Sequence, residues 1–172
     1  MPVLGLVIAV LVVLLDYVTK LWASTYLVTQ PGGMLELWEG VFRLTYVENR
    51  GAAFGMLQGK TVFFLVLTVV VSLVILWFLF CNPRGKNPLW CLSLAFLLGG
   101  TIGNGIDRFL QGYVVDLFDF YLIHFAVFNV ADSFLCIGIG LLILCILLGD
   151  RKKTEKTLPK AETAGDEGAN ER

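Results

Sequence analysis

Four long apolar runs, roughly Val3–Ala23, Val62–Phe80, Leu89–Phe109 and Phe128–Leu148, constrain this chain more than any other feature. Each is close to the ~20 residues that a helix needs to cross the hydrocarbon core of a bilayer. Backbone inside lipid must satisfy its own N–H and C=O groups, so each run predicts a helix. Hydrophobic residues make up 57% of the 172-residue chain, against about 45–50% in soluble domains, and this excludes a soluble globular fold. The first run lacks a basic leader and a small-x-small cleavage site, and it carries Asp16 and Lys20 in helical spacing. It therefore reads as a retained helix, not a cleaved signal. The expected fold is mainly α and integral to a membrane, with four transmembrane helices in one domain, residues 1–150. The polar segment 151–172, RKKTEKTLPKAETAGDEGANER, has the composition of a disordered tail.

Basic residues orient the helices. Arg84 and Lys86 lie between the second and third runs, and Arg151, Lys152 and Lys153 follow the fourth. The positive-inside rule puts both clusters, and hence both termini, in the cytoplasm. Arg43, Arg50 and Lys60 fall in the opposite segments, so the orientation rests on the inner clusters. Tyr26–Thr61 and the shorter Leu110–Val127 then face outward. In VFRLTYVEN, Phe42, Leu44 and Tyr46 alternate with Arg43 and Thr45, the pattern of a half-buried strand that LELWEG can pair with. A small extracytoplasmic β-platform over about residues 34–58 is expected, with Gly51 and Gly55 permitting a tight backbone. Trp22, Tyr26, Trp38, Tyr46 and Tyr113 fit an interfacial aromatic belt. Cys81, Cys91, Cys136 and Cys145 form no CxxC pair, and neither disulfide, metal site nor cofactor is expected.

Charged groups inside a span cost several kcal/mol unless they face a partner or water. Here they collect in one layer. DYVTK puts Asp16 and Lys20 in the outer half of helix one, and GGTIGNGIDRF puts Asn104, Asp107 and Arg108 near the outer end of helix three. Asn129 and Asp132 open helix four, and GYVVDLFDF places Asp116 and Asp119 at the same level. One shared depth indicates a built polar site. Several members also have plain structural readings. Asp16 and Lys20 form either an ion pair or a substrate-facing pair. Asp107 and Arg108 could cap or snorkel, and Asn104 and Asn129 could hydrogen-bond between helices. Asp119 is expected to meet solvent at the interface, and His124, the single histidine, to be interfacial. Asp116 and Asp132 fit such readings least, because apolar residues flank each and no basic neighbour is close in sequence.

Two carboxylates held together cannot both ionise easily, so an acid and a base coexist near neutral pH. That pair can split an amide with water and without a covalent intermediate. There is no HExxH, and the single histidine is read as interfacial, which leaves no base for a Ser-His-Asp or Cys-His arrangement. Ser24 lies one turn from Lys20, but Asp16 would keep that lysine protonated, which is wrong for a base.

In DYVTK (16–20), NRGAAF (49–54), GGTIGNGIDR (99–108), VVD (114–116) and FNVADS (128–133), the chain resembles the lipoprotein signal peptidases, the signal peptidase II family of bacterial membrane aspartyl peptidases. The resemblance implies four membrane helices, cytoplasmic termini, an extracytoplasmic β-cradle and a place in the bacterial cytoplasmic membrane. It implies cleavage of diacylglyceryl-modified prolipoproteins just before the lipidated cysteine. Asp116 and Asp132 would be the catalytic pair. Asn104, Arg108 and Asn129 would position substrate and support the pair. Asp16, Lys20, Asn49, Gly51 and Ala52 would shape the site and its cover, and Asp107 would brace the fold. Prolipoproteins, membrane lipids and globomycin-type cyclic peptide inhibitors are the implied partners; nucleic acid is not. Gly105 and Leu117 depart from the family's usual residues, and Gly105 is expected to loosen helix three. The alternatives are a small proton or ion transporter, since buried carboxylates also mark proton relays, and a non-catalytic factor that binds lipidated partners.

Overall fold

The structure, a computed structural model, describes residues 1–52, 56–81 and 87–157, with backbone alone over 149–157. Its elements are α1 (Pro2–Thr25), β1 (Met34–Trp38), β2 (Phe42–Asn49), α2 (Thr61–Cys81), α3 (Pro88–Gln111), β3 (Val114–Asp119) and α4 (Val130–Thr157). The four expected helices are present, each long and apolar enough to span a bilayer. Helix four starts two residues later than its apolar run, because Asn129 caps it. It continues to Thr157, into the segment expected as tail; residues 158–172 lie outside the described residues.

Local chemistry sets the other ends. Pro2 and Pro88 occupy first-turn positions, where a missing N–H costs nothing. The Asn87 side chain accepts from the Leu89 N–H at 2.9 Å and caps α3. Gly112, at φ 82°, ends the helix and donates its N–H to the Arg108 carbonyl.

α3 is the central helix. Of its most apolar window 61% is buried, against 11% for α2, so the other three helices wrap it and turn apolar faces to lipid. Small residues let the backbones approach. A Cβ on Gly99 would come within 2.7 Å of the Val12 Cβ in α1, and one on Gly100 within 2.5 Å of the Ala131 carbonyl in α4. Gly105 does not loosen α3, which runs unbroken past it. It seats α2 instead, since a Cβ there would meet the Thr68 Cγ2 at 2.5 Å.

The sheet sits at the end of the bundle where α1 and α3 finish and α2 and α4 begin. Its order is β1-β2-β3, antiparallel throughout. β1 and β2 are the expected platform; Ala53, Phe54 and Gly55 lie outside the described residues. The third strand was not expected. It comes from the segment between α3 and α4, and its Val115 and Leu117 pack on Ala23 and Leu27 beneath the sheet. Strand alternation then turns Asp116 to the opposite face.

Candidate active site

Asn129 is where the site is assembled. Its Oδ1 accepts from the Asp132 N–H at 2.9 Å, while the Asp132 Oδ2 accepts from the Asn129 N–H at 3.2 Å. This reciprocal pair is a capping box, which fixes the first turn of α4 and with it the Asp132 carboxylate. The Ala131 N–H, also free of intrahelical partners, donates to the Asp16 Oδ1 at 2.8 Å. The Asn129 amide points the other way and donates to the Asp116 Oδ1 at 2.7 Å. One residue thus ties β3 to the tip of α4.

The remaining oxygens are held as firmly. The Asp116 Oδ2 accepts from the Asn49 Nδ2 at 2.9 Å, and the Asp132 Oδ1 from the Asn104 Nδ2 at 2.7 Å. Asn104 Oδ1 accepts from Lys20 Nζ at 2.9 Å and from Asn129 Nδ2 at 3.0 Å. The Lys20 ammonium also contacts Asp16 Oδ2 at 2.7 Å and Asp107 Oδ2 at 3.0 Å. Asp107 Oδ2 further accepts from the Val115 N–H at 3.1 Å, next to Asp116 in the chain. Asp16 and Lys20 are buried and do not line the cavity described below. Of the two readings of that pair, the geometry matches the structural one.

Arg108 has a different surrounding. It donates to the Gly51 carbonyl at 3.0 Å and the Asn104 carbonyl at 3.3 Å, with its guanidinium 4.6 Å above the Phe64 ring. Gly51 donates its N–H to Asn49 Oδ1 at 2.9 Å, so Arg108 steadies the turn that aims Asn49. A side chain on Gly51 would collide with the Met56 carbonyl, 2.4 Å from its Cβ.

Asp116 and Asp132 border a cavity of about 660 Å³ between α2, α3 and α4. Asn49, Ala52, Asn104 and Arg108 line it too, while its depth is apolar, with Leu67, Val71 and Leu135. Burial, and next the charge of Asp132, push Asp116 up to about 7; hydrogen bonds from Asn49 and Asn129 oppose the shift.

The expected residues therefore divide into a wall and a brace. Asp116, Asp132, Asn49, Ala52, Asn104 and Arg108 face the cavity; Asn129, Asp16, Lys20, Asp107 and Gly51 hold them. One expectation fails: Asp119 is 6% exposed and accepts from Arg43 Nε at 2.7 Å, because β3 turns it inward against β2. Sequence reading also missed Ser133, Cys136 and Thr68 as lining residues. Cys136 was reachable, one helical turn after Asp132; nothing in the local sequence marks Thr68.

The family described as signal peptidase (SPase) II matches residues 8–148. A lipoprotein signal peptidase of Caldanaerobacter subterraneus subsp. tengcongensis is 52% identical over 135 residues, 78% of this chain and 90% of the relative. One from Brevibacillus brevis is 43% identical over 145 residues, 84% of this chain and 95% of the relative. A solved bacterial membrane enzyme, determined by the in meso method at 2.3 Å resolution, superposes with a TM-score of 0.78 at 35% identity, covering 91% of this chain and 92% of its own. By matched span, identity and fold together, this chain belongs to the signal peptidase II family of membrane-embedded lipoprotein signal peptidases.

Proposed function

We propose that the chain removes signal peptides from diacylglyceryl-modified prolipoproteins, cutting just before the lipidated cysteine by water activation between Asp116 and Asp132. The observation that carries this reading is the convergence of two carboxylates, from β3 and from the first turn of α4, on Asn129 at the rim of an apolar cavity. Asp116, pushed up to about 7, still holds its proton in about half the molecules at neutral pH and serves as the acid, with Asp132 as the base. Asp132 takes a proton from water, and the hydroxide adds to the scissile carbonyl carbon. Asp116 gives its proton to the carbonyl oxygen. As the tetrahedral species collapses, the proton now on Asp132 passes to the leaving cysteine nitrogen, and Asp116 recovers its own from the diol.

The substrate's acyl chains bind the bilayer by ~0.8 kcal/mol per methylene, so the scissile bond stays near the membrane surface. The pair sits at that height, at the end of the helices. The basic residues at 84, 86 and 151–153 support cytoplasmic termini and an extracytoplasmic site in a bacterial inner membrane. Inhibition by globomycin-type cyclic peptides is expected with this assignment.

The test is cleavage of a synthetic diacylglyceryl precursor by purified protein. Asp116→Asn and Asp132→Asn should each lower the rate by ~10²–10⁴-fold. Near-normal cleavage by either variant refutes the assignment; wild-type protein that binds the precursor without cutting it favours the binding factor.

A further inference from the structure

Strands β2 and β3 do not pair in a single register. Arg43 lies opposite Asp119 and Leu44 opposite Phe118, but Val47 lies opposite Asp116 and Asn49 opposite Val114. Thr45 and Tyr46 of β2 therefore span a single residue of β3, Leu117, which is the signature of a bulge. The shift reverses the alternation of β2 from that point on. If the register of Arg43 and Leu44 simply continued, Asp116 would face Tyr46 and Val114 would face Glu48. A carboxylate would then stand where the Asn49 amide now donates to Asp116.

The groups around the bulge converge on one buried acid. Asp119 Oδ2 accepts from Arg43 Nε at 2.7 Å and from Thr45 Oγ1, inside the bulge, at 3.2 Å. The Arg43 guanidinium lies 4.7 Å above the Tyr121 ring, and the Tyr121 hydroxyl donates to Glu36 on β1. Removing the acid leaves Arg43 unpaired and the bulge without its side-chain clasp.

We infer that Asp119, clasped by Arg43 and Thr45, is a positioning residue that locks the shifted register of β2 and β3 and so presents Asn49, not Glu48, to Asp116. The inference rests on Asp116 acting in catalysis, but the lock itself can be read without activity. Loss of the lock removes a donor from Asp116 and brings a like charge toward it. Both changes favour the protonated acid, beside the Asn129, Asp132, Lys20 and Arg108 groups that already face it.

Full-length Asp119→Ala, Arg43→Gln and Arg43→Lys are compared with wild type in bicelles, using the synthetic diacylglyceryl precursor. Two readouts decide. One is the pH profile of kcat; the other is the cross-strand NMR contact between Glu48 and Val115, partners in the observed register. Asp119→Ala and Arg43→Gln are expected to lower kcat on the order of 10- to 100-fold, to move its alkaline limb upward and to lose the contact. Arg43→Lys, which keeps the cation, should retain all three properties. A mere loss of folded protein scales the profile without moving it. An unmoved limb with the contact intact in Asp119→Ala overturns the inference, whatever the total activity. Should that variant fail to fold, Asp119→Asn and Thr45→Val are judged by the same two readouts. Asp116→Asn runs in parallel: if it cleaves normally the dyad reading fails, and the Glu48–Val115 contact alone decides the lock.

Discussion

Lys20 has three ammonium hydrogens and three acceptors, on Asp16, Asn104 and Asp107. It is 3% exposed, so neither water nor lipid can replace those partners. Lys20→Met should destabilise the fold by about 3–5 kcal/mol, as breaking buried ion pairs does, measured by thermal or denaturant unfolding in detergent. Asp116 couples activity and stability to pH. Its carboxyl lies at about 7 in the fold against 3.8 for the ordinary group. The folded state thus binds a proton that the unfolded state releases between those values. Stability from this group is greatest below about pH 4, falls as pH rises to about 7 and is flat above. Tm should decline from pH 4 to pH 8 in wild type and decline less in Asp116→Asn. The proposed mechanism uses the protonated form, so activity should fall above about pH 7 in the wild-type kcat profile.

At the scale of elements, α3 and the first turn of α4 carry the design. Gly99, Gly100, Gly103 and Gly105 of α3 are each in close approach to a neighbour. Their spacing sends Gly99 and Gly103 toward α1, Gly100 toward α4 and Gly105 toward α2. Gly100→Leu should push α4 and its Asp132 away from Asn104. A loss of roughly 1–3 kcal/mol is expected from such overpacking, with cleavage falling more than folded yield; unfolding curves and the precursor assay measure both. The capping box works on the same scale. It belongs to helix initiation in any protein, yet here the Asp that completes it also faces the cavity.

Over the whole molecule, two antiparallel helix pairs bring their polar residues into one layer at one end, where a three-stranded sheet closes over it. The apolar walls of the cavity continue away from the carboxylates between α2 and α4, which suits a substrate held by its acyl chains in the same leaflet. Residues 158–172, which lie outside the described residues, have the composition of a solvated tail. Deletion of 158–172 should leave cleavage and Tm unchanged within error, checked in the precursor assay and by thermal unfolding.

The sequence alone determined the membrane class, the four spans and the depth of the polar layer, because hydropathy and helical rise act locally and add along a chain. It also singled out Asp116 and Asp132, which stand out as charges with no nearby basic residue, and both border the cavity. The β1–β2 hairpin was legible for the same local reason, as the alternation of Phe42, Leu44 and Tyr46 with Arg43 and Thr45. Only the tertiary structure decided that VVDLFD is a third strand, that Asp119 is buried, and that Lys20 braces the site instead of facing substrate. Those outcomes depend on which elements meet. A strand flanked by apolar residues, or an ion pair one turn apart, has no partner until a distant segment supplies it, and distance in sequence carries no record of that choice.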